Sequence, residues 1–117
     1  MASGDETLKR VYHLGSAGDL TNILSLIDGV TSGHTYTVLS ISLNNNSSSV
    51  DATFDMGVWI GGTGSNVIII YDDQSLPAKS TFIHNDKIVL AAGDDLFFQT
   101  TTDWDIDIYV SYLDQEL

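Results

Sequence analysis

The chain contains no cysteine, which excludes disulfides, thiolate metal sites and a thiol nucleophile and locates it in no particular redox compartment. Basic residues are scarce too. Lys9, Arg10, Lys79 and Lys87 stand against 16 acidic residues, for a net charge of −12. Phosphate-tracking surfaces need clustered Lys and Arg, so neither nucleic acid nor an anionic membrane is expected as a partner. Such acidity serves solubility and long-range self-repulsion. Proline occurs once, at Pro77, in a linking turn where its missing N–H removes no ladder bond. Long apolar runs are missing as well. The longest, Val67–Tyr71, is strand-sized, and the opening MASGDETLKR has no apolar stretch of the secretory kind, so no membrane span and no signal are expected.

What is present is short alternation punctuated by turns. A chain of 117 residues is one domain's worth and can bury a two-sheet core. Residues 1–6 read as a loose polar arm and residues 7–117 as a single β-sandwich domain. Ser3-x-x-Glu6 matches a helix capping box, but no helical period follows it. Leu8, Val11, Tyr12 and Leu14 are apolar without clean alternation, as in an edge or interface strand. Gly15–Asp19 is a turn by composition. Leu20, Ile23, Leu24, Leu26 and Ile27 have some helical spacing. Thr21, Ile23 and Ile27 are β-branched, though, and the turn GVTSGH follows closely, so a strand is expected.

From Thr35 to Asn44 the pattern predicts a strand with Thr37, Leu39, Ile41 and Leu43 facing the core and Tyr36, Val38, Ser40 and Ser42 facing away. Asn44–Ser49 is a polar loop with no apolar anchor. From about Asp51 to Ile60, Ala52, Phe54, Met56 and Val58 make an inner face. Gly61–Asn66 reads as a hairpin loop; it lacks the lysine and following helix of a phosphate-binding loop. Val67–Tyr71 has no polar face, which predicts a strand buried on both sides or packed against another protein. Lys79–Ile83, Lys87–Leu90, Leu96–Thr101 and Asp105–Leu113 complete the strands, separated by turns at His84–Asp86 and Ala91–Asp95, with Gly93 supplying positive φ. On the last strand, Trp104, Ile106, Ile108, Val110 and Tyr112 share one face. The expected fold is all-β, an antiparallel β-sandwich or jelly roll of about eight strands.

No catalytic constellation emerges, and no catalytic, cofactor or metal residue is expected. Asp103-x-Asp105-x-Asp107 opens like a calcium loop but runs into Ile108 of an alternating strand, so an outward acidic strand face is the better reading. Asp72-Asp73 and Asp94-Asp95 read as turn residues. His13, His34 and His84 lack zinc-ligand spacing, and no serine sits in a nucleophile elbow. Two glycosylation sequons, at Asn45 and Asn46, carry no weight without a secretion signal. Phe97 and Phe98 are adjacent and point to opposite faces, so one of them lies outside the core. Together with Val67–Tyr71, this predicts a second apolar surface of the kind that marks protein–protein contact. Leu8, Val11, Tyr12, Val67, Ile69 and Tyr71 are the candidate contact residues.

Three motifs carry a family likeness: Leu76-Pro77-Ala78, Ile88-Val89-Leu90-Ala91-Ala92-Gly93-Asp94 and Val110-Ser111-Tyr112-Leu113. In this order, from roughly Leu20 to Leu117, the chain resembles small β-sandwich structural proteins and fibre-like modules of tailed-phage virions. These are mainly turn and core residues, so they imply a fold and a virion setting rather than a site. The resemblance implies a non-enzymatic component on the outer surface of the virion, with other virion proteins as partners and the major capsid protein favoured. A decoration or cement protein, assembling as a homo-oligomer such as a trimer, is the first choice. A neck, tail or fibre-attachment protein is the second. In that setting the acidity would also hold a densely packed chain away from encapsidated DNA. The rival from another class is a carbohydrate- or receptor-binding module. It would need exposed aromatic residues on loops, and neither NNNSSS nor GGTGSN has one.

Overall fold

The computed structural model describes residues 5–15, 23–62, 66–100 and 105–116. Their nine strands are β1 (Asp5–His13), β2 (Ile23–Ile27), β3 (His34–Asn45), β4 (Ala52–Ile60), β5 (Asn66–Leu76), β6 (Thr81–His84), β7 (Ile88–Leu90), β8 (Asp95–Gln99) and β9 (Ile106–Glu116). No helix occurs among the described residues. The first sheet runs β1-β9-β3-β6, with β7 also on β3, and the second runs β2-β8-β4-β5. Every pairing is antiparallel. β6 pairs with β3 over Ile41–Asn44 and β7 with β3 over Tyr36–Val38, so the two are one strand broken at Asn85–Lys87. Counted that way, eight strands divide between two layers in the jelly-roll order. The expected fold class holds, and the ninth strand comes from this break.

Period-2 alternation supplies the core from both sheets. β4 turns Ala52, Phe54, Met56 and Val58 inward as expected, and β8 adds Leu96 and Phe98. From the facing first sheet come Ile106, Ile108 and Val110 of β9 and Val38, Ile41 and Leu43 of the neighbouring β3, all with essentially no exposed surface. Each such side chain contributes about 1.5–3 kcal/mol by leaving water.

β3 departs from the expected alternation. Val38 pairs with Tyr112 but Ser40 with Ser111, which makes Leu39 an extra residue, a β-bulge. The bulge shifts the phase of the strand. Tyr36 and Val38 join Ile41 and Leu43 on the core side, while Thr37 and Leu39 are only half-buried. Polar caps hold the two ends of the sandwich. At one end Asn45, buried, donates from Nδ2 to the Val50 and Leu76 carbonyls at 2.9 and 3.0 Å and accepts from Ser47 N–H at 3.0 Å. The loop expected to lack an anchor is therefore tied down by a polar one. At the other end, buried Asp94 accepts from Gly61 and Ala91 N–H at 2.9 Å, and buried Asp95 accepts from Gly29 N–H. Three turns are held together there, and Gly93 has the expected positive φ, 87°.

Asp5 and Glu6, assigned to the arm on sequence, pair with Glu116 and Gln115 at the start of the β1 ladder. The rest of the arm, most of the Gly15–Asp19 turn, Leu20, Thr21, the centre of the Gly61–Asn66 loop, Asp103 and Trp104 lie outside the described residues.

Candidate functional site

β1 and β5 are terminal strands, one in each sheet. β1 lies against β2, while Tyr71 of β5 meets Phe82 of β6 edge-on at 4.9 Å, so β1 and β5 occupy opposite sides of the sandwich. The six candidate contact residues divide between these strands and between faces. Leu8 is 70% exposed, Tyr12 52%, Val67 49% and Ile69 46%. Val11 and Tyr71 turn inward and pack against the core. Of the two alternatives for Val67–Tyr71, burial on both sides is excluded. The strand has an open apolar face because nothing lies beyond β5 in its sheet among the described residues.

On the outer face of the second sheet, Phe97 stands opposite Gly57, and Gly57 opposite Ile69. Phe98 is the core member of the pair and Phe97 the outer one, as alternation requires. Phe97 is nevertheless only 2% exposed. Trp59 stacks on its ring with centroids 4.3 Å apart, and Gly57 leaves room beneath it. The second apolar surface therefore has a closed part around Phe97 and an open part along Val67–Ile69. The signal for the closed part was Gly57, since a glycine inside a strand often marks close approach of another group.

On the outer face of the first sheet, Tyr12 stands opposite Tyr109, and Tyr109 opposite Ser42. The Arg10 guanidinium lies 5.6 Å from the Tyr12 ring centre and 5.9 Å from that of Tyr109. A shallow groove of about 320 Å³ runs past them, bordered by Asn44, Asp107 and Ile108. Half-exposed aromatic residues thus exist, on a sheet face rather than on loops.

Two buried polar clusters were not singled out from the sequence. Asp114, buried near the end of β9, accepts from Lys9 Nζ at 2.7 Å and pairs with His34 Nδ1 at 2.6 Å. Burial pushes its carboxyl up, but the Lys9 and His34 hydrogen bonds and the charges behind them outweigh that, and the net shift is downward from 3.8. The Lys9 ammonium is correspondingly raised, chiefly by its Asp114 hydrogen bond. With Lys9 on one oxygen and His34 on the other, this cluster ties β1, β9 and β3 together. His84 is buried between the layers, its Nδ1 2.7 Å from Tyr71 Oη and its Nε2 without a hydrogen-bond partner. An N–H left unmatched costs more than a lone pair left unmatched, so the arrangement favours Nδ1–H donating to Tyr71. Around it, Tyr71, Phe54 and Phe82 meet edge-on and seal the β5–β6 side of the core.

Several of the acidic residues serve local structure. Asp94 and Asp95 bind backbone N–H groups across turns, Asp107 accepts from Gly15 N–H at 2.9 Å, and Asp73 lies in an irregular stretch of β5 with φ 56°. Among the described residues, no three His, Asp or Glu side chains gather as a metal site.

No protein-family model matches the chain, and no curated protein matches it in sequence. Solved structures do match in shape. A chain of the acid-stable capsid of Helicobacter pylori bacteriophage KHP30 superposes with a TM-score of 0.51 at 11% identity, over 97% of this chain and 90% of that one. A chain of the T13 infectious bursal disease virus particle gives 0.51 at 9% identity, over 97% of this chain but 31% of that one. This chain spans about a third of the length of the latter. At such identities the likeness is one of fold, and the fold is a β-sandwich of the kind found in viral capsid chains.

Proposed function

We propose that the protein is a non-enzymatic structural component of a virion, a decoration or cement protein that binds the outside of the capsid lattice. The observation that carries this reading is the pair of apolar strips on the terminal strands, Leu8 and Tyr12 on β1 and Val67 and Ile69 on β5. Apolar residues left open on both sides of an otherwise very acidic domain mark surfaces that other proteins cover. The near full-length likeness to a phage capsid chain supports the virion setting. The major capsid protein is the favoured partner, and a trimer the favoured form on the lattice.

The test is re-addition. Particles that lack this chain are mixed with purified protein and sedimented. Saturable binding to capsids, weakened in Ile69→Asp and Tyr12→Ala variants, is the expected result. Binding confined to necks or tails would move the role to that part of the virion. Absence of binding to any particle would overturn the reading.

The Tyr12–Tyr109 groove favours a second reading, a carbohydrate-binding face. Paired tyrosines beside Asn44, Asp107 and Arg10 offer a stacking platform and polar groups for hydroxyls. Glycan-array binding by the isolated chain, lost in Tyr109→Ala, would support it.

A further inference from the structure

We infer that β1 and β5 meet between copies of this chain: the β1 face of one copy seats on the β5 face of the next, head to tail. The inference rests on the reading of the β1 and β5 strips as assembly surfaces and names what covers them.

Charge distribution selects a second copy as occupant. Lys9 and Arg10, both on β1, are the only Lys or Arg in the described strands. Lys9 is held internally by Asp114, which leaves Arg10 to present its guanidinium on the outer face between Leu8 and Tyr12. The four strands of the second sheet carry Asp55, Asp72, Asp73 and Asp95, and no Lys or Arg. Asp95 is buried, whereas Asp72 and Asp73 are exposed directly after the apolar run of β5. One side of the molecule thus offers aromatic and aliphatic side chains around a cation, with Glu6 at the edge of the same face. The other offers aliphatic side chains beside two carboxylates.

The same distribution disfavours a self-complementary contact. A two-fold dimer through β5 would bring Asp72 and Asp73 near their own copies, in a chain already at −12, and β1, whose outer face carries Arg10 with Glu6 at its edge, is the one described strand with a cation free to meet them. A head-to-tail contact instead matches Arg10 with Asp72 and Asp73, and Leu8 and Tyr12 with Val67 and Ile69. Tyr and Arg are residue types that dominate interface energies. The contact is made by side chains rather than by continuing the sheet. Irregular register with β4 and the left-handed Asp73 interrupt the main-chain ladder of β5, which blunts it as a pairing edge. Because the two faces lie on opposite sides, the contact either closes into a ring or propagates.

Complementation by two disabled variants tests this, read by light scattering over a concentration series. One variant spoils the β1 face (Leu8→Asp, Arg10→Glu) and the other the β5 face (Val67→Asp, Ile69→Asp). Wild-type protein is expected to form a species larger than a monomer, and each variant alone a monomer. Their equimolar mixture is expected to give a heterodimer and nothing larger, since each retains one intact face. Arg10→Glu alone should weaken association roughly 30-fold, and adding Asp72→Lys and Asp73→Lys to the same chain should restore it. Circular dichroism checks the fold, and Arg10→Gln with Ile69→Ser stands in where the stronger changes unfold the chain. A variant that keeps the wild-type oligomer, a mixture without heterodimer, or a monomeric wild type at millimolar concentration would each overturn the inference. A monomeric wild type that still coats particles would overturn it while leaving the capsid-binding reading intact; head-to-tail assembly without particle binding would do the reverse.

Discussion

Replacing Gly57 by alanine tests the account of the second sheet's outer face. Gly57 has no unusual φ to relieve, so the effect is one of space. A Cβ there would stand 2.5 Å from the Ile68 carbonyl oxygen and 2.9 Å from two Phe97 ring carbons. The carbonyl belongs to the neighbouring strand and cannot withdraw without disturbing the pairing of Gly57 with Ile69 and Val58 with Ile68. The ring could move only by leaving its stack on Trp59. Overpacking costs about 1–3 kcal/mol, the lost stack about 0.5–1.5, and the lower chain entropy of alanine returns about 0.4–1. At the middle of these ranges the expected net loss is about 2.3 kcal/mol, which at a urea slope of about 1.5 kcal/mol/M lowers the midpoint by roughly 1.5 M. Urea titration followed by circular dichroism measures it. Phe97→Leu in the same chain removes the ring half of the clash but not the carbonyl half, so the double variant should lose less than the sum of the singles. A Gly57→Ala protein within about 0.5 kcal/mol of wild type, the range of a neutral surface change, or strict additivity with Phe97→Leu, would refute the reasoning.

Other perturbations probe the buried polar groups. Asp114 has a folded pKa below 3.8, so its contribution is complete above that value and is lost as pH falls through the lower, folded one. Asp114→Asn should cost about 1–2 kcal/mol at neutral pH, discounted because Lys9 is half-exposed, and the gap to wild type should close in acid; a gap independent of pH would contradict the assignment. Tyr71→Phe leaves both nitrogens of buried His84 without a partner and should lose about 1–3 kcal/mol in chemical denaturation, whereas an unchanged midpoint would show that the hydrogen bond does not form. Asn45→Asp sets a carboxylate against the Val50 and Leu76 carbonyls and should cost more than Asn45→Ala, an ordering that thermal melts of the two variants would check.

The sequence carried the fold because alternation survives wherever pairing is regular. β4 and β9 were read residue by residue, and the turn at Gly93 was marked by the one residue type that takes positive φ without cost. Local pattern and structure part where a long-range effect changes the local rule. Leu39 is bulged because β9 supplies one residue fewer than β3 between Val38 and Ser40, a mismatch invisible within β3 itself. Asn45 looked like the start of a loop because its partners, Val50 and Leu76, come together only in the folded chain. Likewise, nothing local to Phe97 says that Trp59 will cover it. Of the candidate contact residues, Leu8, Tyr12, Val67 and Ile69 lie on open faces because they occupy the outward phase of terminal strands. Val11 occupies the inward phase of β1, which an unbroken apolar run does not distinguish, whereas Tyr71 shares the parity of Val67 and Ile69 and is turned inward by a register shift at Ile70, since Met56 pairs with Tyr71 but Gly57 with Ile69.

The most direct test of the central claim is electron cryo-microscopy of the particle that carries this chain. The account predicts density for the β-sandwich on the outside of the capsid lattice, with the β1 and β5 strips buried against neighbouring chains. Density elsewhere, with Leu8, Tyr12, Val67 and Ile69 facing solvent, would contradict it.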